Sequence, residues 1–454
     1  MRPGGPRVQR DPHRPVGAVS RRPCLRCVPV LRPARRVPTT ARAVAHAGVH
    51  LRGLRAHRRG DAGDGLALVR GPWSGGRVRI LVAPQEFKGS LTAAEAAAAI
   101  ARGLARAAAE AGTAVEVDLL PFADGGPGTA SVVSNALGGR TVSVRATGPL
   151  GASVDAEYAL IEGAPGEGPL AVIDSAAACG LVLIPGAQRD PLAASSAGVG
   201  TLILDAIARG ARRIVLGVGG TATNDGGAGI AQTLGLRLFD AAGDVLPGGP
   251  IHLVRLSRIE RGDALPAIEL RIAVDVRNAL LGPEGAVAIY GAQKGVRDWQ
   301  APAIEAALAR WAERLHADLG LDVASMPGAG AGGGLACGLI AAVPGARIEP
   351  GAALVGGVVG LRARIEAADL VITGEGTLDA QTAYGKAVAH VAATAAEAGR
   401  PCLAVAGQIE ARPPSIADAE AATPDRASRE ATRHDPTPTV EAAAGRLLRR
   451  WLAR

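Results

Sequence analysis

Val78-Arg-Ile-Leu-Val-Ala-Pro84, followed by Gln85-Glu-Phe-Lys-Gly-Ser90 and Thr92-Ala-Ala-Glu95, spells a strand, a loop and the start of a helix in succession. The apolar run has the length of a strand buried on both faces. Thr92 with Glu95 three residues on is the capping-box signature of a helix N-terminus, and the helix is expected to reach about residue 110. The unit then recurs. Residues 115–120 form a strand leading into Asp124-Gly-Gly-Pro-Gly128 and a helix. Residues 170–174, 199–208 and 213–218 read as strand, helix and strand, with Gly210 placed to close the helix. Another strand is expected at 270–275 and an amphipathic helix at 302–319. Strand 369–373, a glycine loop, helix 386–398 and strand 402–406 end the series. This repetition specifies an α/β fold with a mostly parallel sheet whose strand ends carry the ligands. Residues 141–161 break the rule, alternating around Gly148-Pro-Leu-Gly151 as an antiparallel hairpin does. That change points to one domain inserted within another.

The 454 residues, 48% of them hydrophobic and 62 of them glycine, suit two domains with tails. The net charge of +8 is unevenly spread: residues 1–79 hold 18 arginines against 3 acids, a net of +15, which leaves the other 375 residues at −7. The basic character therefore belongs to an Arg- and Pro-rich head over 1–76, expected to be a disordered extension, and the mildly acidic body gives no reason to expect a nucleic-acid partner. The head lacks the apolar segment of a secretory signal, and no apolar run is long enough to cross a membrane, so a cytoplasmic location is expected. Five cysteines make no disulfide framework at this size. Cys24 and Cys27 form a lone CxxC pair with no second ligand pair for zinc, while Cys179, Cys337 and Cys402 sit among small apolar residues as core positions.

The sharpest chemical signal is an avoidance. Of 50 basic side chains only three are lysines, Lys88, Lys294 and Lys386, and each stands beside glycine in a loop between strand and helix. A compact ammonium fits a phosphate pocket differently from a guanidinium fork, so these three read as anion ligands. Asparagine is equally scarce, and Asn224 and Asn278 fall in glycine-bearing loops. Carboxylates accompany the same loops: Asp124, Asp225 in Gly219-Gly-Thr-Ala-Thr-Asn-Asp-Gly-Gly227, Asp275, Glu375 and Asp379. Phosphoryl transfer needs amides and lysines on the phosphates, Mg²⁺ on carboxylates, and a carboxylate for the hydroxyl proton. Gly217-Val-Gly-Gly-Thr-Ala222 also matches a dinucleotide fingerprint, yet Thr223-Asn-Asp-Gly-Gly227 makes a poor first helical turn for it. No P-loop and no protein-kinase motif set is present. The expected roles are Asp225, Lys88 and Asp124 for catalysis; Lys294, Lys386, Gly219, Gly220, Asn224, Gly330 and Gly332 for nucleotide and phosphate; and Asp275, Glu375 and Asp379 for the metal.

Seven blocks in order carry a more specific likeness: Ala83-Pro-Gln-Glu-Phe-Lys-Gly-Ser90, Ala123-Asp-Gly-Gly-Pro-Gly-Thr129, Thr147-Gly-Pro-Leu-Gly151, Gly217 to Gly229, Gln293-Lys-Gly295, Pro327-Gly-Ala-Gly-Ala-Gly-Gly-Gly-Leu335 and Ile372 to Lys386. In these blocks, over about residues 78–408, the chain resembles the bacterial glycerate kinases. The resemblance implies D-glycerate as acceptor, ATP with Mg²⁺ as donor, and two α/β domains, one of them flavodoxin-like, around a cleft. The expected division is 77–140 and 291–410 for the flavodoxin-like domain, 141–290 for the inserted one, and 411–454 for a polar loop with a short C-terminal helix. Gln85-Glu86, Pro127 and Thr377 depart from the usual family pattern. A kinase of another short hydroxy acid, and a nucleotide-binding protein of the same fold without turnover, are the alternatives.

Overall fold

The computed structural model describes residues 77–163, 166–379, 387–425, 430 and 435–454. The arginine-rich head, the CxxC pair and Lys386 lie outside the described residues.

Strand β1 (Val78–Pro84) alternates Val78, Ile80 and Val82 toward one apolar cluster and Leu81 and Ala83 toward another. Burial on both faces is the usual setting of a parallel strand, and both neighbours of β1 are parallel to it. They are β2 (Val115–Leu119) on one side and β11 (Leu370–Leu378) on the other. β12 (Cys402–Ile409) and β13 (Asp418–Ala421) extend the sheet, giving the order β13-β12-β11-β1-β2. One face is covered by the helix Ala93–Glu110 and by the final helix Thr437–Leu452, whose Val440, Leu447 and Leu448 share a cluster with Ile100 and Leu104. The capping box forms as expected, with Glu95 N–H donating to the Thr92 hydroxyl and Thr92 N–H to the Glu95 carboxylate.

The second sheet has the order β10-β9-β6-β5-β4-β3. β3 (Arg140–Thr147) and β4 (Ser153–Ile161) form the antiparallel hairpin, and β4 runs antiparallel to β5 (Leu170–Asp174). β5, β6 (Arg213–Gly217), β9 (Glu269–Ala273) and β10 (Arg347–Glu349) are parallel. A small antiparallel ribbon, β7 (Leu236–Phe239) with β8 (Arg258–Arg261), lies apart from both sheets. Ile161, Val172, Val215 and Ala273 of the second sheet join the same apolar cluster as Leu81 and Ala83 of the first, so the sheets share part of one core.

Three sequence expectations change. Residues 411–438 are not only a polar loop, because β13 pairs there with β12; at four residues it is too short for periodicity to reveal. The C-terminal helix is also longer than expected, with 16 residues. β10 likewise falls within 291–410 yet pairs with β9. Cys179, Cys337 and Cys402 are free and buried, and among the described residues no helix is long and apolar enough to cross a membrane.

Candidate active site

Parallel strands send their carboxyl ends, and the loops that follow, to one edge of each sheet, and ligands collect there. The loops after β1, β2, β6 and β9 meet around a cleft of about 490 Å³, a size in the range of small-molecule sites. Their approach is very close. A Cβ on Gly125 would lie 2.7 Å from the Ala273 Cβ, and one on Gly219 would lie 2.8 Å from the Gly126 Cα. Only glycine at these positions lets the loop after β2 cross onto the ends of β6 and β9.

After β1, a tight turn closed by Phe87 N–H to Leu91 O and by the Ser90 hydroxyl to Phe87 O presents Lys88. Lys88 is exposed and lines the cleft with Gln85, Glu86 and Thr92. After β2, Asp124 lines the cleft with both carboxylate oxygens engaged. The Gln85 side-chain amide donates to Oδ2 at 2.8 Å, and Gly126 N–H to Oδ1 at 3.3 Å. Half-buried Asp174 accepts from Gly128 N–H at 2.8 Å and Ala130 N–H at 3.2 Å, anchoring the helix Thr129–Leu137. Ser131 and Asn135 of that helix face the cleft.

At the end of β9, Asp275 accepts from Ala352 N–H at 3.1 Å and lines the same cleft. Burial, reinforced by the negative charge of Asp124, pushes its carboxyl up to about 7. Lys294 also lines the cleft but is almost wholly buried. Its ammonium donates to the Thr223 carbonyl at 2.7 Å and to the Thr221 hydroxyl at 3.4 Å. Burial lowers its pKa to about 8.

Seven of the residues singled out by sequence thus come together: Lys88, Asp124, Lys294, Gly219, Gly220, Gly332 and Asp275. Others do not. Asp225 is fully buried and absent from the cleft lining. Its carboxylate accepts from Ser196 N–H and the Ser196 hydroxyl, both at 2.8 Å, and from Gly227 and Gly229 N–H, both at 3.2 Å. Burial pushes its pKa up while these donors favour the ionised form. The expectation that Asp225 is the catalytic carboxylate does not fit this placement, because four protein donors fill the lone pairs a substrate proton would need. Instead it fixes the turn whose Thr223 carbonyl holds Lys294. Asn224 is buried beside it, off the cleft. Gly330 is turned toward Asn278, to whose carbonyl it donates. Glu375 and Asp379 are half-buried on and just after β11, and neither lines the cleft. Among the described residues no three metal-binding side chains cluster, so Asp275, Glu375 and Asp379 do not form one ligand set.

Sequence reasoning passed over Glu86 and Asn135 as functional residues. Asn135 belongs to the scarce asparagines and carries the signal that drew attention to Asn224 and Asn278. Asn278 instead accepts from the Tyr290 hydroxyl at 2.6 Å and donates to Glu284 O at 2.8 Å, and so braces the loop after β9.

A model of the glycerate kinase family matches residues 80–452. A glycerate kinase from Halalkalibacterium halodurans is 43% identical over 333 residues, which cover 73% of this chain and 85% of that protein. A glycerate 2-kinase from Escherichia coli is 39% identical over 335 residues, 73% of this chain and 86% of that protein. A crystal structure assigned as glycerate kinase 2 from Salmonella typhimurium LT2 superposes with a TM-score of 0.71 at 37% identity, covering 83% of this chain and 98% of that one.

Proposed function

The chain belongs to the glycerate kinase family, and from that footing we propose that it transfers the γ-phosphoryl group of ATP to a hydroxyl of D-glycerate. The observation that carries the reading is the single cleft shared by two lysines, Lys88 and Lys294, and two aspartates, Asp124 and Asp275. Phosphoryl transfer consists mainly of positioning and of neutralising charge on the phosphate oxygens. The lysines are suited to neutralising that charge, Lys88 from an exposed turn and Lys294 from a buried seat where a charge interacts more strongly.

Mg²⁺ takes oxygen ligands, commonly one or two carboxylates with phosphates and water completing the shell. Asp124 and Asp275 fit that donor set. Burial, with the negative charge of Asp124 adding to it, already raises the proton affinity of Asp275, and a divalent cation would offset the charge repulsion. They are the residues that would hold the ion, which when bound shields the phosphate charge. Glycine loops at Gly219, Gly220 and Gly332 leave backbone free to approach the phosphates. Asp225 and Asn224 act from behind, holding the loop that seats Lys294. We read the two sheets as two domains, the second inserted in the first, and the reaction as cytoplasmic.

The test is ADP release from ATP and Mg²⁺ with D-glycerate, with phosphorus NMR identifying the phosphorylated hydroxyl. ADP release that depends on another short hydroxy acid and not on glycerate would replace the substrate. Release with neither would remove the kinase reading.

A further inference from the structure

Three carboxylates line the cleft, Glu86, Asp124 and Asp275, and they differ in what they have left to offer. Asp124 has one protein donor on each oxygen, from Gln85 and Gly126, which leaves one lone pair on each for a cation. Asp275 is tied to the backbone N–H of Ala352 through both its oxygens. Glu86 alone of the three is neither hydrogen-bonded nor ion-paired among the described residues, although it is half-buried. Its near charges are Lys88 on its own turn and Asp124 across from it; Asp275 and Lys294 line the same cleft. A carboxylate held out of bulk water without a protein partner has both oxygens available to a ligand.

We propose that Glu86 is the catalytic base of this cleft and takes the proton of the acceptor hydroxyl as phosphoryl transfer proceeds. The proposal rests on the kinase reading above. In the step, the glycerate hydroxyl proton passes to a Glu86 carboxylate oxygen while the hydroxyl oxygen forms its bond to the γ-phosphorus. The bond from that phosphorus to the β–γ bridging oxygen breaks, its electron pair leaves with ADP, and the proton on Glu86 passes to water before the next turnover. Partial burial pushes the Glu86 carboxyl above the ordinary glutamate value, with Asp124 adding to the rise and Lys88 opposing it. That direction suits a proton acceptor working near neutrality. Asp225 is excluded from this role because it has no face on the cleft and no free lone pair.

The experiment compares the wild-type chain with Glu86→Gln and Glu86→Asp under saturating ATP, Mg²⁺ and D-glycerate. Activity of the wild type is established first, so that failure of the kinase reading shows there and not in the variants. Glu86→Gln should lower kcat by about 100-fold or more, with both KM values, the Mg²⁺ dependence and the melting temperature little changed. Glu86→Asp, which keeps the base on a shorter arm, should recover at least about tenfold of that loss. A Glu86→Gln enzyme that keeps kcat within about threefold of wild type overturns the assignment. So does one whose whole defect is a raised KM for ATP or a raised Mg²⁺ requirement, which would make Glu86 a binding group. If Glu86→Gln melts early, a folded Glu86→Ala variant takes its place in the same comparison: a kcat lowered by about 100-fold keeps the proposal, and a kcat within about threefold of wild type ends it.

Discussion

Lys294→Met removes a buried ammonium and leaves an unbranched side chain in its seat. Burial lowers the lysine from its usual 10.5 to about 8, and at about 1.4 kcal/mol per pH unit that corresponds to ~3 kcal/mol lost by keeping the charged form inside the fold at neutral pH. Against this, the Thr223 carbonyl loses a donor at 2.7 Å, a loss of about 1–3 kcal/mol for a buried group. The variant should therefore match or exceed the wild type in stability, by up to ~2 kcal/mol, while its turnover falls by about 100-fold through the missing phosphate contact. The pH dependence has a fixed sign. Below about 8 the lysine is charged in both folded and unfolded chains and the penalty is complete. Between about 8 and 10.5 the folded chain releases its proton first, so wild-type stability rises with pH and the advantage of the methionine shrinks. Urea denaturation without nucleotide, at about pH 7 and again near pH 10, measures both ends. A variant clearly less stable than wild type, by a margin that does not change with pH, would refute this account and make the ammonium a structural partner of Asp225.

Asp225→Ala strands four buried donors and should reduce the stability read from urea denaturation by roughly 3–5 kcal/mol; an unchanged midpoint with abolished turnover would hand the carboxylate back to the chemistry. Lys88→Arg keeps the charge on an exposed turn, so its melting temperature should not move, yet kcat/KM should fall about tenfold because a guanidinium fork does not replace a point charge; steady-state kinetics with full activity would make that lysine ornamental. With the Asp275 carboxyl at about 7, protons compete with the metal, so the apparent Mg²⁺ affinity should fall about tenfold per pH unit below about 7. Magnesium titrations of the activity, flat across that range, would remove Asp275 from the metal.

Rarity and glycine context made much of the cleft legible. Lys88 and Lys294 stood out because lysine is scarce, and both reach the cleft. Asp124, Asp275, Gly219, Gly220 and Gly332 follow from the rule that strand ends carry ligands. Asp225 misled because a carboxylate in an elaborate glycine loop looks the same in sequence whether it faces outward to a ligand or inward to Ser196, and only the packing of the loop decides. Glu375 differs for another reason: β11 runs nine residues, to Leu378, so this expected loop acid is a strand residue. The parallel core strands and the hairpin were legible from periodicity, whereas β7, β8, β10 and β13 have too few residues to show a period.

The pairing of β1 with β11 has a consequence for synthesis. Ala83 and Thr373, joined by the Thr373 hydroxyl to the Ala83 carbonyl, stand 290 residues apart in the chain. At a translation rate of about 5–20 residues per second, β1 waits roughly 15–60 s for that partner to be made. The strands of the second sheet, all encoded between residues 140 and 349, can meet during the wait. The helix Ala93–Glu110, which shares its cluster with Val440, Leu447 and Leu448, completes its packing only after the last helix has left the ribosome. The nascent protein therefore carries an apolar strand paired on one side only, with β2, and open on the other for most of its manufacture.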